Sequence, residues 1–373
     1  MKKLKLVVSI FSVFILLAAV SCKPKEKAEA AKASGLKISI VTSSGVDDGS
    51  FGQDCYIGIQ AFLKTHPEAS CTPVNEPDMS KIVQVPAEII GDYDVLVLPG
   101  FQFSPIGALA QENPGKKMIL VDTFPQDAQG QTVELDNVYG MTFQEEESGF
   151  FAGIAAALET KSNKVAFVGG MAFPSVVNYH YGFNSGVNYS NAHFGTKAVI
   201  VDLPSYSGTD VTGTVVGGNY VGDFADEATG KVIGNALINQ GVDIIFVAAG
   251  ASGNGAFTAA KEANGVFVIG CDVDQYNDGA TGGRNVVLTS ALKIMNINIT
   301  RQLTAIADGT FAGKNAVLNA QTDSTGYVST AGRHQMSAST VEKLSAAYAL
   351  LKKGEIVPAA NFNGYLPNKF PGL

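Results

Sequence analysis

The stretch "SSGVDDGSFGQD" at residues 43–54 follows the apolar run Ile38–Val41 and leads into a helical pattern at Gln53–Lys64. A strand-to-helix connection of this kind needs only a glycine and a capping Asp or Ser. Two extra aspartates and a phenylalanine with no obvious core to enter therefore mark a candidate site. The same excess recurs after other apolar runs, in Pro99-Gly100-Phe101, Asp122-Thr123-Phe124, Gly169-Gly170-Met171, Gly250–Gly255, Cys271–Asp274 and Ser290–Lys293. Aromatic faces beside carboxylates and a lysine suit stacking and charge-assisted hydrogen bonding. Catalytic signatures are missing. "GASGN" breaks a GxSxG elbow at its last position, Gly230-Lys231 and Gly313-Lys314 lack the first glycine of a P-loop, and Gly250, Gly253 and Gly255 do not space as GxGxxG. His66, His180, His193 and His334 are scattered, with no metal-ligand spacing.

Positioning these residues falls to an alternation of short apolar runs and helical patterns. Strands are expected at Lys37–Thr42, Asp94–Leu98, Lys117–Asp122, Val165–Gly169, Ala198–Asp202, Asp243–Ala248, Val266–Cys271 and Val286–Ser290. Helices are expected at Gln53–Lys64, Glu145–Leu158, Asp226–Gln240, Asn254–Ala263, Met295–Ala307 and Thr340–Lys353. Ser104-Pro105 reads as an N-cap with Pro at N1, and Glu145, Glu146 and Glu147 as negative charge on a helix N-terminus. Such alternation implies an α/β protein with parallel sheets covered on both faces, and the number of strands suggests two sheets. In doubly wound sheets ligands bind at the carboxyl ends of the strands, where these residues lie.

The ends of the chain are separate objects. Lys2, Lys3 and Lys5 precede an uncharged stretch, Leu6–Val20, and Ala19-Val20-Ser21 places small residues before Cys22. This reads as a lipoprotein signal peptide over residues 1–21, too short to span a bilayer, with Cys22 as the acylated residue. Residues 22–35, charged and Ala-rich, read as a flexible tether. Removal of residues 1–21 takes three lysines and leaves 23 basic against 34 acidic residues, a net charge of −11. The body has no basic cluster, which argues against nucleic acid as a partner. Cys55, Cys71 and Cys271 read as buried thiols.

"GVDDGSFGQDCYIGI", "MTFQEEESGFFAGIAAAL", "KVAFVGGMAFPSVVNYHYGFNSGV", "YVGDFADEATGKVIG", "VAAGASGNG", "VIGCDVDQ" and "LTSALKIMN" together resemble the basic membrane protein family, in the same order and over nearly all of residues 36–370. The resemblance implies a type 1 periplasmic-binding-protein fold: two Rossmann-like lobes joined by a three-strand hinge. It also implies a lipoprotein that binds purine nucleosides (inosine, guanosine or adenosine) for an ABC permease and ATPase, anchored at the cell membrane through Cys22 and using no cofactor. Chain crossings are expected near Tyr139–Gln144, Cys271–Gln275 and Leu318–Asp323. The N-terminal lobe then comprises 36–140 plus 273–320, and the C-terminal lobe 141–272 plus 321–373.

By the same resemblance Phe51 stacks on one face of the base and Phe224 on the other, with Tyr220 as the alternate. Asp122 faces the base edge, and Asp272 and Lys293 grip the ribose hydroxyls, Asp274 being able to exchange with Asp272. Ser43, Asp48 and Gln53 lie in the first binding loop, where Gly52 stands in place of the family's usual Asn. Gly250 opens a helix N-terminus facing the ligand. Two other ligand readings stay open: a free pentose or furanose on the same fold, and a nucleoside hydrolase with a metal held by "DDGSFGQD" or "CDVDQYND". A purely adhesive surface lipoprotein is a fourth reading.

Overall fold

The computed structural model describes residues 35–369. The leader at 1–21, Cys22 and the tether up to residue 34 lie outside the described residues. The chain opens with β1 (Lys37–Thr42), α1 (Phe51–Thr65), β2 (Ser70–Asn75), the short helices α2 (Met79–Ile82) and α3 (Val85–Ile89), and β3 (Val95–Pro99). It continues through α4 (Gly107–Glu112), β4 (Lys117–Val121) and β5 (Val138–Phe143). A second series follows: α5 (Glu145–Glu159), β6 (Lys164–Gly169), α6 (Pro174–His193), β7 (Val199–Ile200) and a small hairpin of β8 (Gly208–Thr209) and β9 (Val215–Gly217). Next come α7 (Glu227–Asn239), β10 (Ile244–Ala248), α8 (Gly253–Glu262), β11 (Phe267–Gly270), a hairpin of β12 (Ala280–Thr281) and β13 (Arg284–Asn285), and β14 (Val287–Lys293). The remainder is α9 (Met295–Ala307), β15 (Lys314–Leu318), β16 (Thr325–Tyr327) and α10 (Ala338–Lys352).

Two six-stranded sheets result, ordered β15-β5-β4-β3-β1-β2 and β16-β14-β11-β10-β6-β7. All pairs in the first are parallel, and in the second only β16 runs antiparallel, against β14. Helices cover both faces of each sheet, so central strands such as Val95–Pro99 are buried along their whole length. Pro73, which has no N–H, is accommodated because β2 is an edge strand. Cys71 on the same edge is partly exposed, unlike the buried thiols of Cys55 and Cys271.

Where the chain changes sheets differs from expectation at one point. Residues 273–293, assigned by sequence to the N-terminal lobe, stay with the second sheet, because β14 pairs with β11 in parallel. The chain returns only after Lys293, when α9 buries Met295, Ile299 and Leu303 against the first sheet's core. Asp272 therefore belongs to the second lobe and not to a crossing. Smaller departures follow the same logic. Ala198–Asp202 shortens to the two-residue β7, and Ser104-Pro105 sits inside a 3-10 turn, Phe101–Ile106, that precedes α4.

Glycine does more than form turns. On α5, Gly149 and Gly153 face Gly182 and Gly186 of α6. A Cβ added at Gly149 would stand 2.3 Å from the Tyr179 carbonyl oxygen, and one at Gly186 would stand 2.1 Å from that of Phe150. The two backbones touch, which fixes Tyr179 of α6 relative to the start of α5. Alanine in a helix normally improves on glycine by about 1 kcal/mol. Here it collides with backbone, so Gly186→Ala is expected to lower the unfolding temperature, the overpacking cost of about 1–3 kcal/mol exceeding the propensity gain. An unchanged or raised melting temperature in calorimetry would contradict this packing.

Candidate functional site

Between the lobes lies a narrow cavity partly open to solvent. Its aromatic lining comprises Phe51 at the start of α1, Phe101 after β3, Phe173 before α6 and Phe224 before α7. Phe101 and Phe173 meet across the lobes with ring centroids 5.7 Å apart, and Phe173 lies 5.8 Å from Phe224. Local chemistry holds Phe224 in place. Its carbonyl accepts from the Ser252 amide at 2.9 Å, and its ring rests where a side chain at Gly170 would be, 2.4 Å from an added Cβ. Tyr220, the alternate aromatic, is buried away from the cavity with its hydroxyl 3.2 Å from His180 Nδ1. Gly250 lines the cavity with φ +54°, a left-handed conformation suited to glycine.

The polar residues converge on one ammonium. Lys293, at the end of β14, donates to Asp122 Oδ2 at 2.7 Å and stands 3.6 Å from both Asp272 Oδ1 and Glu145 Oε1. All four side chains are buried. Asp122 follows β4 of the first sheet, Asp272 follows β11 of the second, and Glu145 opens α5, so the cluster ties both lobes together. Sequence reading separated Asp122 at a base edge from an Asp272–Lys293 pair. The structure instead makes Asp122 the nearest partner of Lys293, within a single polar wall. The ammonium also lies 4.7 Å from the Phe51 ring centroid, a cation–π contact. Asp122 and Asp272 have φ +65° and +68°, left-handed values that non-glycine residues rarely adopt and that accumulate at functional sites.

Electrostatics follow from one cation among three buried acids. Burial alone would lower the Lys293 ammonium, but Asp122, Asp272 and Glu145 override it and hold the group above its ordinary value. Burial raises the Asp122 carboxyl against the pull of Lys293, and pushes Glu145 up to about 8. Asp122 Oδ1 and Glu145 Oε1 are buried with no hydrogen-bond partner. Asp272 is better satisfied: Ser50 Oγ donates to one oxygen at 2.9 Å and the Tyr179 hydroxyl to the other at 3.0 Å.

Two expected binding residues lie elsewhere. Asp48 is consumed inside its own loop, accepting from Ser44 Oγ and from the amides of Ser50, Gly52 and Gln53. Gln53 accepts from the Gly49 amide. Neither lines the cavity, whereas Ser43 and Ser44 do. Asp48 is thus the brace that presents Phe51. The Gly52 substitution has a steric reason, because a Cβ there would lie 2.0 Å from the Gly45 carbonyl oxygen. Asp274 turns outward to Arg333 at 2.6 Å, which removes it as a stand-in for Asp272. Phe101 and Glu145 stood out in the sequence only by their positions at element ends, and nothing there singled out Phe173 or Tyr179 as site residues.

The fold has counterparts among solved structures. An ABC transporter solute-binding protein from Aeropyrum pernix superposes with a TM-score of 0.73 at 21% identity, covering 88% of this chain and 94% of that one. Residues 36–205 and 213–346 match the family described as Bmp, ABC transporter substrate-binding protein PnrA-like, and the chain belongs to that family. It is 31% identical over 301 residues to a Lactococcus lactis protein named ABC transporter nucleoside-binding protein BmpA, covering 76% of this chain and 78% of the relative. It is also 30% identical over 293 residues to a Listeria monocytogenes protein named CD4+ T-cell-stimulating antigen, covering 74% of each. The family's role is substrate binding for ABC transporters, which is not an enzymatic one.

Replacing Lys293 leaves three buried acids without a cation. Breaking a buried ion pair on one side costs about 3–5 kcal/mol, so Lys293→Met is expected to destabilise the fold strongly. Acids whose pKa is raised in the folded state stabilise it below their unfolded pKa and lose that contribution as pH rises through the folded value. Loss of the ammonium raises the folded values of Asp122 and Glu145 further. The deficit against the parent should therefore shrink from pH 8 toward pH 5 in urea denaturation; a pH-independent deficit would contradict the cluster's electrostatics.

Proposed function

We propose that the cleft captures purine nucleosides for import by an ABC permease and ATPase, the base lying among Phe51, Phe224 and the adjoining Phe101 and Phe173. The observation that carries this reading is an aromatic-lined cavity with a single polar wall. A flat base suits the rings, each stacking contact contributing about 1–3 kcal/mol. A vicinal diol suits the wall, where Lys293 donates and Asp272 accepts. Asp122 Oδ1, buried and unpartnered, fits an N–H or O–H donor from the ligand and disfavours analogues lacking it. The nucleoside-binding relative from Lactococcus lactis supports the class of ligand.

Closure follows from where the contacts lie. Ser50 to Asp272, Gln275 Nε2 to the Gly49 carbonyl at 3.0 Å and Lys293 to Asp122 all run between the lobes. A ligand touching both lobes favours the closed state and presents a closed surface to the importer. Of the acids in the two stretches weighed for a hydrolase metal site, Asp48 is engaged by four donors and Asp274 by Arg333. Incubation with inosine should accordingly release no hypoxanthine.

In calorimetry, inosine, guanosine or adenosine should bind more tightly than pyrimidine nucleosides or free ribose. Equal affinity for ribose and guanosine would overturn the base-stacking reading in favour of a free pentose. Phe224→Ala should weaken nucleoside binding by about one stacking contact, roughly 1–3 kcal/mol, and should reduce the ligand-induced drop in radius of gyration seen by small-angle scattering. A radius unchanged at saturation would remove the closing mechanism. We also propose a lipid anchor at Cys22. Cys22→Ala should release the exported protein from membranes without changing its melting temperature, and full retention would refute the anchor.

A further inference from the structure

The cluster around Lys293 holds more negative charge than its one cation offsets. Asp122, Asp272 and Glu145 stand 2.7, 3.6 and 3.6 Å from Nζ, and among the described residues none of the three pairs with another cation. Fully ionised, three negative charges would face one positive charge in a space closed to water. Hydrogen bonds decide which acid gives way. Asp122 accepts directly from the ammonium, and Asp272 accepts from the hydroxyls of Ser50 and Tyr179. Glu145 has one neutral donor, Asn178 Nδ2 at 3.1 Å from Oε2, and its Oε1 is buried with none. The carboxylate with the fewest donors in dry surroundings is the one whose charged form costs most. The N-terminus of α5 favours the charge on Glu145, but burial outweighs it.

Glu145 also stands where the lobes meet. The chain leaves the first sheet at Phe143, and Glu145 opens α5 of the second lobe. Beside it a gap runs between Phe124 and Val317 of the first lobe and Pro174 and Asn178 of the second. Under the closing mechanism proposed above, parting the lobes widens that gap, hydrates Glu145 and takes Asp122 away, while Lys293 stays with it in the second lobe. The carboxyl then returns toward its ordinary range. The other titratable groups nearby respond less. Lys293 is held above its ordinary value and stays charged, and burial keeps Tyr179 and Cys271 neutral. Asp272 keeps the Tyr179 hydroxyl, which belongs to its own lobe. Glu146, raised by burial and by Glu145, lies where α5 touches Gly182 of α6 within one lobe, so it stays enclosed. Asp54, pushed up to about 7 by burial, keeps both donors of Asn296, because α1 and α9 pack together on the first sheet.

We propose that closure of the lobes on a nucleoside takes up one proton from solvent, which Glu145 holds, so that binding is tighter in an acidic than in an alkaline medium. This rests on the nucleoside-clamp reading above. The sign follows from linkage. In the closed state burial moves the Glu145 carboxyl up to about 8, whereas in the open state it titrates nearer the ordinary carboxylate range. Between those two values the open form is ionised and the closed form protonated, so closing binds a proton and a rise in pH opposes it. Above the closed value both forms are ionised, and affinity no longer depends on pH.

The test is calorimetric titration of the full chain with adenosine and with inosine, neither of which exchanges a proton near pH 7, in phosphate, imidazole and Tris buffers. The dependence of the measured heat on each buffer's own heat of ionisation counts the protons bound. The parent protein should take up about 0.5–1 proton per nucleoside at pH 7, and its affinity should fall roughly three- to tenfold for each unit of pH between 6 and 8 and then level off. Glu145→Gln keeps the shape of a protonated glutamate and cannot titrate. It should lose the proton uptake and the slope, and at pH 8.5 it should bind more tightly than the parent. Melting temperature checks that this variant folds, and the proton count of the parent stands without it. Nucleoside binding with no proton uptake, or with proton release, overturns this inference and leaves the clamp standing. Uptake unchanged in Glu145→Gln also overturns it, by placing the proton on another acid. Absence of binding by either nucleoside removes the reading beneath it as well.

Discussion

One buried ammonium organises this molecule. Lys293 meets an acid from each lobe and a third from the helix that begins immediately after the first sheet ends. Each acid would be strongly disfavoured in its charged form without the others' shared cation, and the cation without them. The end of β4, the turn after β11, the end of β14 and the first residue of α5 must therefore arrive together. Both acids that reach Nζ from the two sheets do so from left-handed turns, at Asp122 and Asp272. Phe51 completes the arrangement by offering its ring face to the same ammonium. The polar wall is thus at once a lobe-to-lobe joint and the floor of the cleft.

Much of the architecture was legible in the sequence because both sheets are nearly all parallel. Apolar runs with a charged or aromatic end gave β1, β3, β4, β6, β10 and β11 closely, and α9 to the residue. Short or partly exposed strands escaped. β2 is half exposed and carries a proline, β15 alternates weakly and β16 has three residues, while β7 was expected but overdrawn and the buried β5 was read only as a crossing. The misplaced crossing has one cause. The turn at Cys271–Gln275 looks like a departure from the sheet, but a 3-10 turn and the β12–β13 hairpin carry the chain back to β14 in the same sheet. Strand-end reasoning pointed to Phe51, Asp122, Asp272 and Lys293 and the family resemblance to Phe224, and all five line the cavity. It could not separate Asp48 from these, since a loop-bracing carboxylate and a ligand-binding one look alike until hydrogen bonds are known. Phe173 hid among 21 phenylalanines, whereas Phe101 stood at a strand end.

Glycine at helix contacts explains another part of the composition that sequence reading assigned to turns. The pattern of α5 on α6 recurs elsewhere: Gly58 of α1 presses on Asn296 of α9, and Gly230 of α7 and Gly255 of α8 press on each other's segments. Three helix pairs are held at backbone contact. The chain passes between the two sheets where Phe143 gives way to Glu145, Lys293 to Met295, and Leu318 to Ser324. Glu147 staples two of these segments, accepting from the Ala320 amide at 2.7 Å and from the Thr325 hydroxyl.

Cys271 lines the cleft, with its sulfur 3.5 Å from Asp272 Oδ1, and burial with that neighbouring carboxylate holds the thiol well above its ordinary pKa. In the closed molecule it is therefore both shielded and unreactive. Under the closing mechanism proposed above, opening of the lobes would admit water to Cys271, while Asp272, the next residue in the same lobe, stays beside it. Cys71 is already partly exposed on an edge strand. The alkylation rate of Cys271 relative to Cys71 would then count how often the lobes part, in a protein that has no tryptophan to report the event by fluorescence.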